Sequence, residues 1–482
     1  MKDLLKKLAN YKKPVIGIAV SAWTRTGPAL LLPHYHIICL LETADLDAIR
    51  KKCRVRSFAK NFSLDPYSLT KKNTASILKH PRVRRFLKSL AQPPSLLVYK
   101  SSKKVENVCQ KMGIRILTSR SEIRDPFEDK KEFRFLGKKA GLRLIPGETL
   151  LINDFSQLKY QELRKKYGPD LVFQLPDYKV GGGIGTFFIR NQEDYQAALL
   201  FIKRRRQAGK KLVWINVTKM IEGTAASICS CVTRFGILSS LVQTQLVDIQ
   251  EARAFAGRRG VWLGHDWGFK FFGPTIQKRA EKVAQTLGTY MAKLGYKGMF
   301  GIDLVIDKEG QIWPVECNAR YTGGFPLYSM MQAAYGEIPF DAFHLGEWLD
   351  LNYQVNLAQI QEQYRQPKLG AHLVLHNQEK KWVKVSGEVK GGVYQFKEGQ
   401  LNWLRSGFAF QDIEKKEEFV LCDRAPRKGD ILKPGDRLVR VLFKDKIAAA
   451  CNQLNDWAAK ACRKIYKAYQ LQEITSRTKK AG

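Results

Sequence analysis

The stretch that decides the fold is Gly301-Ile302-Asp303-Leu304-Val305-Ile306-Asp307-Lys308-Glu309-Gly310-Gln311-Ile312-Trp313-Pro314-Val315-Glu316-Cys317-Asn318-Ala319-Arg320. Two apolar runs flank Asp-Lys-Glu-Gly, a turn signal, so an antiparallel hairpin is expected. A turn centred between Glu309 and Gly310 brings Asp303 across from Glu316. Side chains alternate along a strand, so Asn318 projects from the face of Glu316, and Arg320 follows two residues later. Like charges directly opposite each other are destabilising, and a cation resolves the conflict. Two carboxylates and an amide oxygen suit Mg²⁺, which keeps several waters and draws its remaining ligands from substrate phosphates. Arg320 is placed to bind an anion. Pro314 marks this half of the hairpin as an edge or bulged strand. An ordinary surface hairpin explains the stretch less well, because Asp303 sits amid apolar neighbours and Glu316 lies between Val315 and Cys317.

Upstream, Leu171-Val172-Phe173-Gln174-Leu175 leads into Gly181-Gly182-Gly183-Ile184-Gly185-Thr186 and then Phe187-Phe188-Ile189. Glycines let consecutive N–H groups surround phosphate oxygens. No Lys-Ser/Thr pair follows them, and both flanks read as strand, so this is neither a Walker loop nor a Rossmann turn. A flap closing over a triphosphate fits the pattern. Taken alone, the glycines suit a plain mobile hairpin equally well; their weight comes from their place upstream of the carboxylate hairpin.

The chain around these signals is α/β. Its 482 residues suggest about three domains. In residues 1–125, continuous apolar runs at Val15–Val20, Tyr35–Leu41 and Ser95–Tyr99 read as strands of an open, mostly parallel sheet. Residues 51–91 read as basic and helical. Residues 126–366 hold nearly all of the chemical signals, including a helix from about Lys130 to Ala140 that stops at Gly141. A long helix from Thr275 to Leu294 places Ile276, Ala280, Val283, Leu287, Tyr290 and Leu294 on one face. Residues 367–482 read as strand-rich, with a closing helix from about Lys446 to Tyr469.

Composition narrows the classes. No segment reaches the roughly 20 apolar residues of a membrane span, and the basic N-terminus lacks the apolar core of a targeting segment, so residence in the cytoplasm is expected. The nine cysteines have neither zinc nor redox spacing and read as buried thiols. His34/His36 and His372/His376 lack nearby carboxylate or Cys partners that would make metal sites. The formal charge is +37, with the excess concentrated in 1–125 and 367–482. Such a balance suits a nucleic-acid binder, but the basic runs are short and carry no interleaved stacking aromatics. They read as a solvated face, with neither nucleic acid nor membrane as partner.

These residues resemble the ATP-grasp superfamily over roughly 125–326. The hairpin looks like its metal-binding signature. By that likeness Asp303 and Glu316 hold one Mg²⁺ (or Mn²⁺), Glu316 and Asn318 hold a second, and Leu304 is one of the nucleotide-binding residues. Arg320 would steady the acceptor carboxylate or the migrating phosphoryl. Lys130, eleven residues before Gly141 in Lys-Lys-Ala-Gly-Leu, resembles a phosphate-binding lysine. Gly181, Gly182, Gly183, Gly185 and Thr186 resemble the phosphate flap, and Thr218-Lys219-Met220-Ile221 resembles the hinge that holds adenine. The likeness implies a Rossmann-like pre-ATP-grasp domain (1–125), a nucleotide-binding core (126–366) and a C-terminal strand-rich lid (367–482).

Two departures stand out. Gln174 occupies a position where the family usually has a second lysine, and Thr218 one where a Glu commonly meets adenine. Together with Leu263-Gly264-His265-Asp266-Trp267, the Gln174 strand looks closest to carboxylate–amine (peptide) ligases, near the biotin-carboxylase-like branch. The implied activity is amide formation from a small carboxylate and an amine, such as an amino acid or peptide, with ATP converted to ADP and phosphate and a homodimer as a possible assembly. The alternatives are a bicarbonate-phosphorylating enzyme and a non-catalytic ATP-binding regulator.

Overall fold

Strands covered on both faces draw on continuous apolar runs, and the first sheet is built that way. β1 (Val15–Ala19), β2 (Tyr35–Cys39), β3 (Arg54–Ser57), β4 (Ser95–Val98) and β5 (Arg115–Ile116) pair in parallel in the order β3-β2-β1-β4-β5. Ile16, Ile18 and Ile38 pack on one side with Phe58, Ile77 and Leu87. Val15 and Ile37 belong to a second core with Phe343 and Tyr353. β3 corrects the all-helical expectation for residues 51–91: its Arg-Val-Arg-Ser alternates exposed with buried, as an edge strand does, and lacks an apolar run. The helices Phe58–Phe62, Thr74–Lys79 and Pro81–Lys88 follow it. The computed structural model describes residues 2–64, 73–177, 185–254, 260–270 and 272–474.

A second, antiparallel sheet contains β6 (Gly147–Leu151), β7 (Leu171–Gln174), β8 (Thr186–Ile189) and β9 (Trp214–Lys219), in the order β6-β9-β7-β8. Phe155, Phe173, Tyr195, Ile215 and Val217 form its core.

The third sheet has eleven strands among the described residues. Its first members are β10 (Gly223–Thr233), β11 (Gly236–Ser239), β12 (Gln243–Val247), β13 (Trp262–Asp266), β14 (Gly298–Asp307) and β15 (Ile312–Asn318). It continues through β16 (Ala371–His376), skips β17 (Val383–Val385), and takes up β18 (Gly392–Lys397), β19 (Gln400–Arg405) and β20 (Glu418–Cys422). β21 (Ile431–Leu432) pairs with β17, while β22 (Arg437–Phe443) joins the large sheet. The order β15-β14-β10-β12-β13-β16-β22-β20-β18-β19, with β11 on β10, shows the sheet running straight across residue 366.

The helix Gly273–Lys293 backs the hairpin, but its buried stripe is turned from the expected one. Gln277, Ala280, Glu281, Ala284, Leu287, Gly288 and Met291 face inward, whereas Leu294 lies 46% exposed. The inward polar side chains are satisfied: Gln277 accepts from the Val242 N–H (2.9 Å) and donates to the Ser240 carbonyl (2.9 Å), and Glu281 pairs with Arg365 at 2.7 Å. A hydrophobic count cannot see such partners. The closing helix is shorter than expected, Asp456–Ala468, capped by Asn455 accepting from the Ala458 N–H at 2.9 Å. Ala448–Ala450 and Gln453–Leu454 pair as a small hairpin before it. Among the described residues no helix is long and apolar enough to cross a membrane, and all nine cysteines are free thiols, eight of them buried.

Candidate active site

β14 and β15 pair antiparallel with Asp303 opposite Glu316, Ile302 opposite Cys317 and Gly301 opposite Asn318. The register is reached by an unexpected route. Residues 308–310 form a three-residue loop with Gly310 at φ +72° and its N–H donating to the Asp307 carbonyl (3.0 Å). Above that loop Ile306 faces Ile312 and Leu304 faces Pro314, a register that would set Asp303 against Val315. A bulge at this point adds one residue to β15 and restores Glu316 to Asp303. Pro314 stands beside the bulge on the edge strand of the sheet, where a missing N–H is tolerated.

The three polar side chains of the hairpin meet. Asp303 accepts from the Asn318 amide (3.1 Å) and from Gln245 on β12 (2.8 Å). Glu316 is ion-paired with Lys130, which opens the helix Lys130–Ala140. Asp129 caps that helix by accepting from the Lys131 and Glu132 N–H groups (3.0 and 3.3 Å). Burial, and then the facing Glu316, push the Asp303 carboxyl far above the usual carboxylate range. Burial also acts to raise Glu316, but the Lys130 ammonium outweighs it and holds Glu316 below that range. One carboxyl therefore tends to keep its proton while the other borrows a lysine. A divalent cation would replace both makeshifts.

Arg320 lies beyond the last strand residue, so strand alternation does not aim it. Its N–H donates to the Asn318 carbonyl (2.7 Å) in a tight turn. Its guanidinium is held by the Tyr99 hydroxyl (2.7 Å) and by Glu128 (2.6 Å). Burial opposes its charge, but Tyr99 and Glu128 raise its pKa above the ordinary arginine value. Tyr99 follows β4, on the sheet where the strand order reverses between β1 and β4. In such sheets ligands collect outside the carboxyl ends at that point.

Tyr99, Lys130, Gln245, Asp303, Glu316, Asn318 and Arg320 line one cavity of about 1500 Å³. On its second side Gln174 ends β7, opposite Asn216 of β9 and Thr186 of β8. Thr218 and Lys219 end β9, and the Met220 N–H donates to the Asp170 carbonyl (2.9 Å). Lys130, Gln174, Gly185, Thr186, Thr218, Lys219, Met220, Ile221, Asp303, Leu304, Glu316, Asn318 and Arg320 thus share one space, with Ile145, Leu144 and Val172 as apolar neighbours. Gly181, Gly182 and Gly183 lie outside the described residues.

Sequence reading passed over Gln245, Tyr99 and Glu128, which orient Asp303 and Arg320. Glu128 stands directly before the Asp129-Lys130 pair, and Gln245 alternates with Gln243, so weak signals were present. His372, by contrast, is buried, hydrogen-bonded to His265 (2.9 Å) and set against Arg440. Among the described residues no three His, Cys, Asp or Glu side chains cluster as a metal cage. The hairpin's two carboxylates and amide oxygen still fit Mg²⁺, a hard ion that completes its shell with water and phosphate oxygens.

Residues 178–324 match the family model of the ATP-grasp domain. No curated protein matches the chain by sequence. Among solved structures, the biotin carboxylase domain of Hydrogenobacter thermophilus 2-oxoglutarate carboxylase, a dimer in complex with MgADP, ADP and bicarbonate, superposes with a TM-score of 0.60 at 12% identity. That match covers 96% of this chain and 91% of the other. N5-carboxyaminoimidazole synthase from Aspergillus clavatus gives a TM-score of 0.55 at 12% identity over 95% and 99% of the two chains. Phosphoribosylamine–glycine ligase from Thermotoga maritima gives 0.55 at 13% identity over 95% and 97%. With a family match over residues 178–324 and a fold shared along nearly its whole length with these structures, the chain carries an ATP-grasp domain within the ATP-grasp fold.

Proposed function

We propose that the protein is an ATP-dependent carboxylate–amine ligase. The observation that carries this reading is the convergence of Asp303, Glu316 and Asn318 with Lys130 and Arg320 on one cavity. In this reading Thr218 to Ile221 hold adenine, while Lys130, Gln174 and the flap glycines hold phosphate oxygens. Asp303 with Glu316 would hold one Mg²⁺, and Glu316 with Asn318 a second. The bound ions would supply charge neutralisation on the phosphates.

A substrate carboxylate oxygen attacks the γ-phosphorus, the bond to the β-phosphate oxygen breaks, and ADP leaves. The acyl phosphate so formed is attacked by an amine nitrogen, which loses a proton as inorganic phosphate departs with one former carboxylate oxygen. Arg320, held by Tyr99 and Glu128, is rigid enough to face the oxyanion of that second step. Flap closure would keep water from the intermediate. A homodimer in the cytoplasm is the setting proposed.

A second reading, bicarbonate phosphorylation, draws on the likeness to the biotin carboxylase domain. No Met-Lys-Met carrier motif occurs in this chain. An ADP-release screen over amino acids and short peptides, with mass detection of products, separates the readings. The ligase requires acid and amine together. ADP release with bicarbonate alone would favour the second reading, and ATP binding without turnover would favour a regulator.

A further inference from the structure

The cavity wall built by the C-terminal strands takes no part in the chemistry above, yet it is strongly cationic. Arg437 opens β22 opposite His376, the last residue of β16, and Arg424 follows β20; all three line the cavity. Arg440 lies deeper on β22, fully buried, with its Nε donating to Asp423 at 3.0 Å and its guanidinium 4.8 Å over the Trp23 ring. Asp423 thus gives one oxygen to Arg440, and its charge is shared with Arg437 and Arg424. The other nearby acid, Asp436, accepts from the Lys433 N–H at 2.9 Å. Neither the Arg424 nor the Arg437 guanidinium has a hydrogen bond or ion pair among the described residues.

The chain also accepts backbone strain to place Arg424. Asp423 and Arg424 sit at φ +53° and +73°, two successive non-glycine residues in the left-handed region, where strain persists only if the surroundings enforce it. Burial, and then Arg437, depress the pKa of Arg424. Two like charges, partly desolvated, with no ion pair of their own and with Asp423 shared among three arginines, form an arrangement that an added anionic oxygen group stabilises.

The nucleotide is a poor candidate for that group. Its proposed phosphate contacts lie on β7, β8 and the hairpin, whereas β22 stands five strands from β14 in the sheet, about 24 Å measured along it. We propose that Arg424 and Arg437, with His376, form a second anion subsite. It takes a carboxylate or phosphate carried by the non-nucleotide substrate, remote from the carboxylate that reacts. This rests on the ligase reading for the identity of that substrate.

The test loads the full chain with MgADP, which fills the α- and β-phosphate contacts, and titrates it calorimetrically with inorganic phosphate or with succinate. Wild type is expected to bind at least one of them in the millimolar range. A response to phosphate points to a phosphorylated substrate, and one to succinate points to a second carboxylate. The Arg424→Gln/Arg437→Gln pair should weaken that binding by about tenfold or more. The Arg424→Lys/Arg437→Lys pair should retain part of it, and MgADP affinity should stay unchanged in both. Three results would overturn the subsite: no binding of either anion by loaded wild type, equal binding by the glutamine pair, or MgADP affinity falling in parallel. Failure of wild type to bind MgADP would instead sink the ligase reading. The same anion titration on nucleotide-free chain would then decide the subsite by itself.

Discussion

Lys130 stands where chemistry would put a cation: it neutralises Glu316 while Asp303, one strand in from the sheet edge, is held toward its protonated form. Glu316→Gln should lower Mg²⁺-dependent ADP release by about three orders of magnitude, the scale of a lost charge-stabilising group, with little change in melting temperature because the lost Lys130 ion pair is offset by relief of the repulsion on Asp303. Turnover assays paired with thermal denaturation check both halves. Gln174 poses the converse question. Gln174→Lys should lower the KM for ATP by about fivefold, since a charge-assisted contact to phosphate exceeds a neutral one by roughly 1 kcal/mol; steady-state kinetics at fixed Mg²⁺ would show it. At this scale the sequence disclosed donors but not their supports. Asp303, Glu316 and Asn318 are readable because a hairpin is local, whereas Tyr99 reaches Arg320 across 221 positions and nothing in either segment announces the other.

At the scale of elements, the hairpin shows how a correct pairing can rest on compensating details. The tight loop and the bulge each move the register by one residue, and only their combination sets carboxylate against carboxylate. Pro314 was the visible sign of the bulge. Continuous apolar runs made β1, β2 and β4 legible, while β3 hid behind alternating arginines and the C-terminal hairpin behind residues that also suit a helix. The junction β13–β16, where the large sheet passes from the middle of the chain to its C-terminal part, depends on a missing side chain. A Cβ on Gly264 would fall onto the His372 carbonyl oxygen, at the strand pair Gly264–Leu373. Beside it, Asp266 accepts from the Ile447 and Ala448 N–H groups (2.8 and 3.0 Å). Gly264→Ala should therefore cost about 2–4 kcal/mol through forced strand separation, read as a fall in the urea midpoint.

For the molecule as a whole, the N-terminal sheet and the C-terminal strands close on each other as well as on the cavity. The Ala44 N–H donates to the Ala425 carbonyl (2.9 Å), the Asp423 N–H to Asp45 (3.1 Å), and the Trp23 indole to the Phe408 carbonyl (2.8 Å). Asp45 is fully buried there, and burial, with Asp423 adding to it, raises its carboxyl from 3.8 to about 6. The folded state thus holds this proton more tightly than the unfolded chain does. Its contribution to stability is greatest below pH 3.8 and is lost as pH rises through about 6, then levels. Asp45→Asn should escape that loss, so its stability relative to wild type should rise between pH 4 and 7 by up to about 3 kcal/mol, measured by denaturant titration at each pH. The central claim, that a substrate carboxylate is activated by phosphoryl transfer at the hairpin, has a direct test in an acid labelled with ¹⁸O in its carboxyl group. Incubated with the protein, MgATP and the amine it accepts, the acid should yield inorganic phosphate carrying one ¹⁸O for every amide formed. Amide formation with unlabelled phosphate would contradict the account.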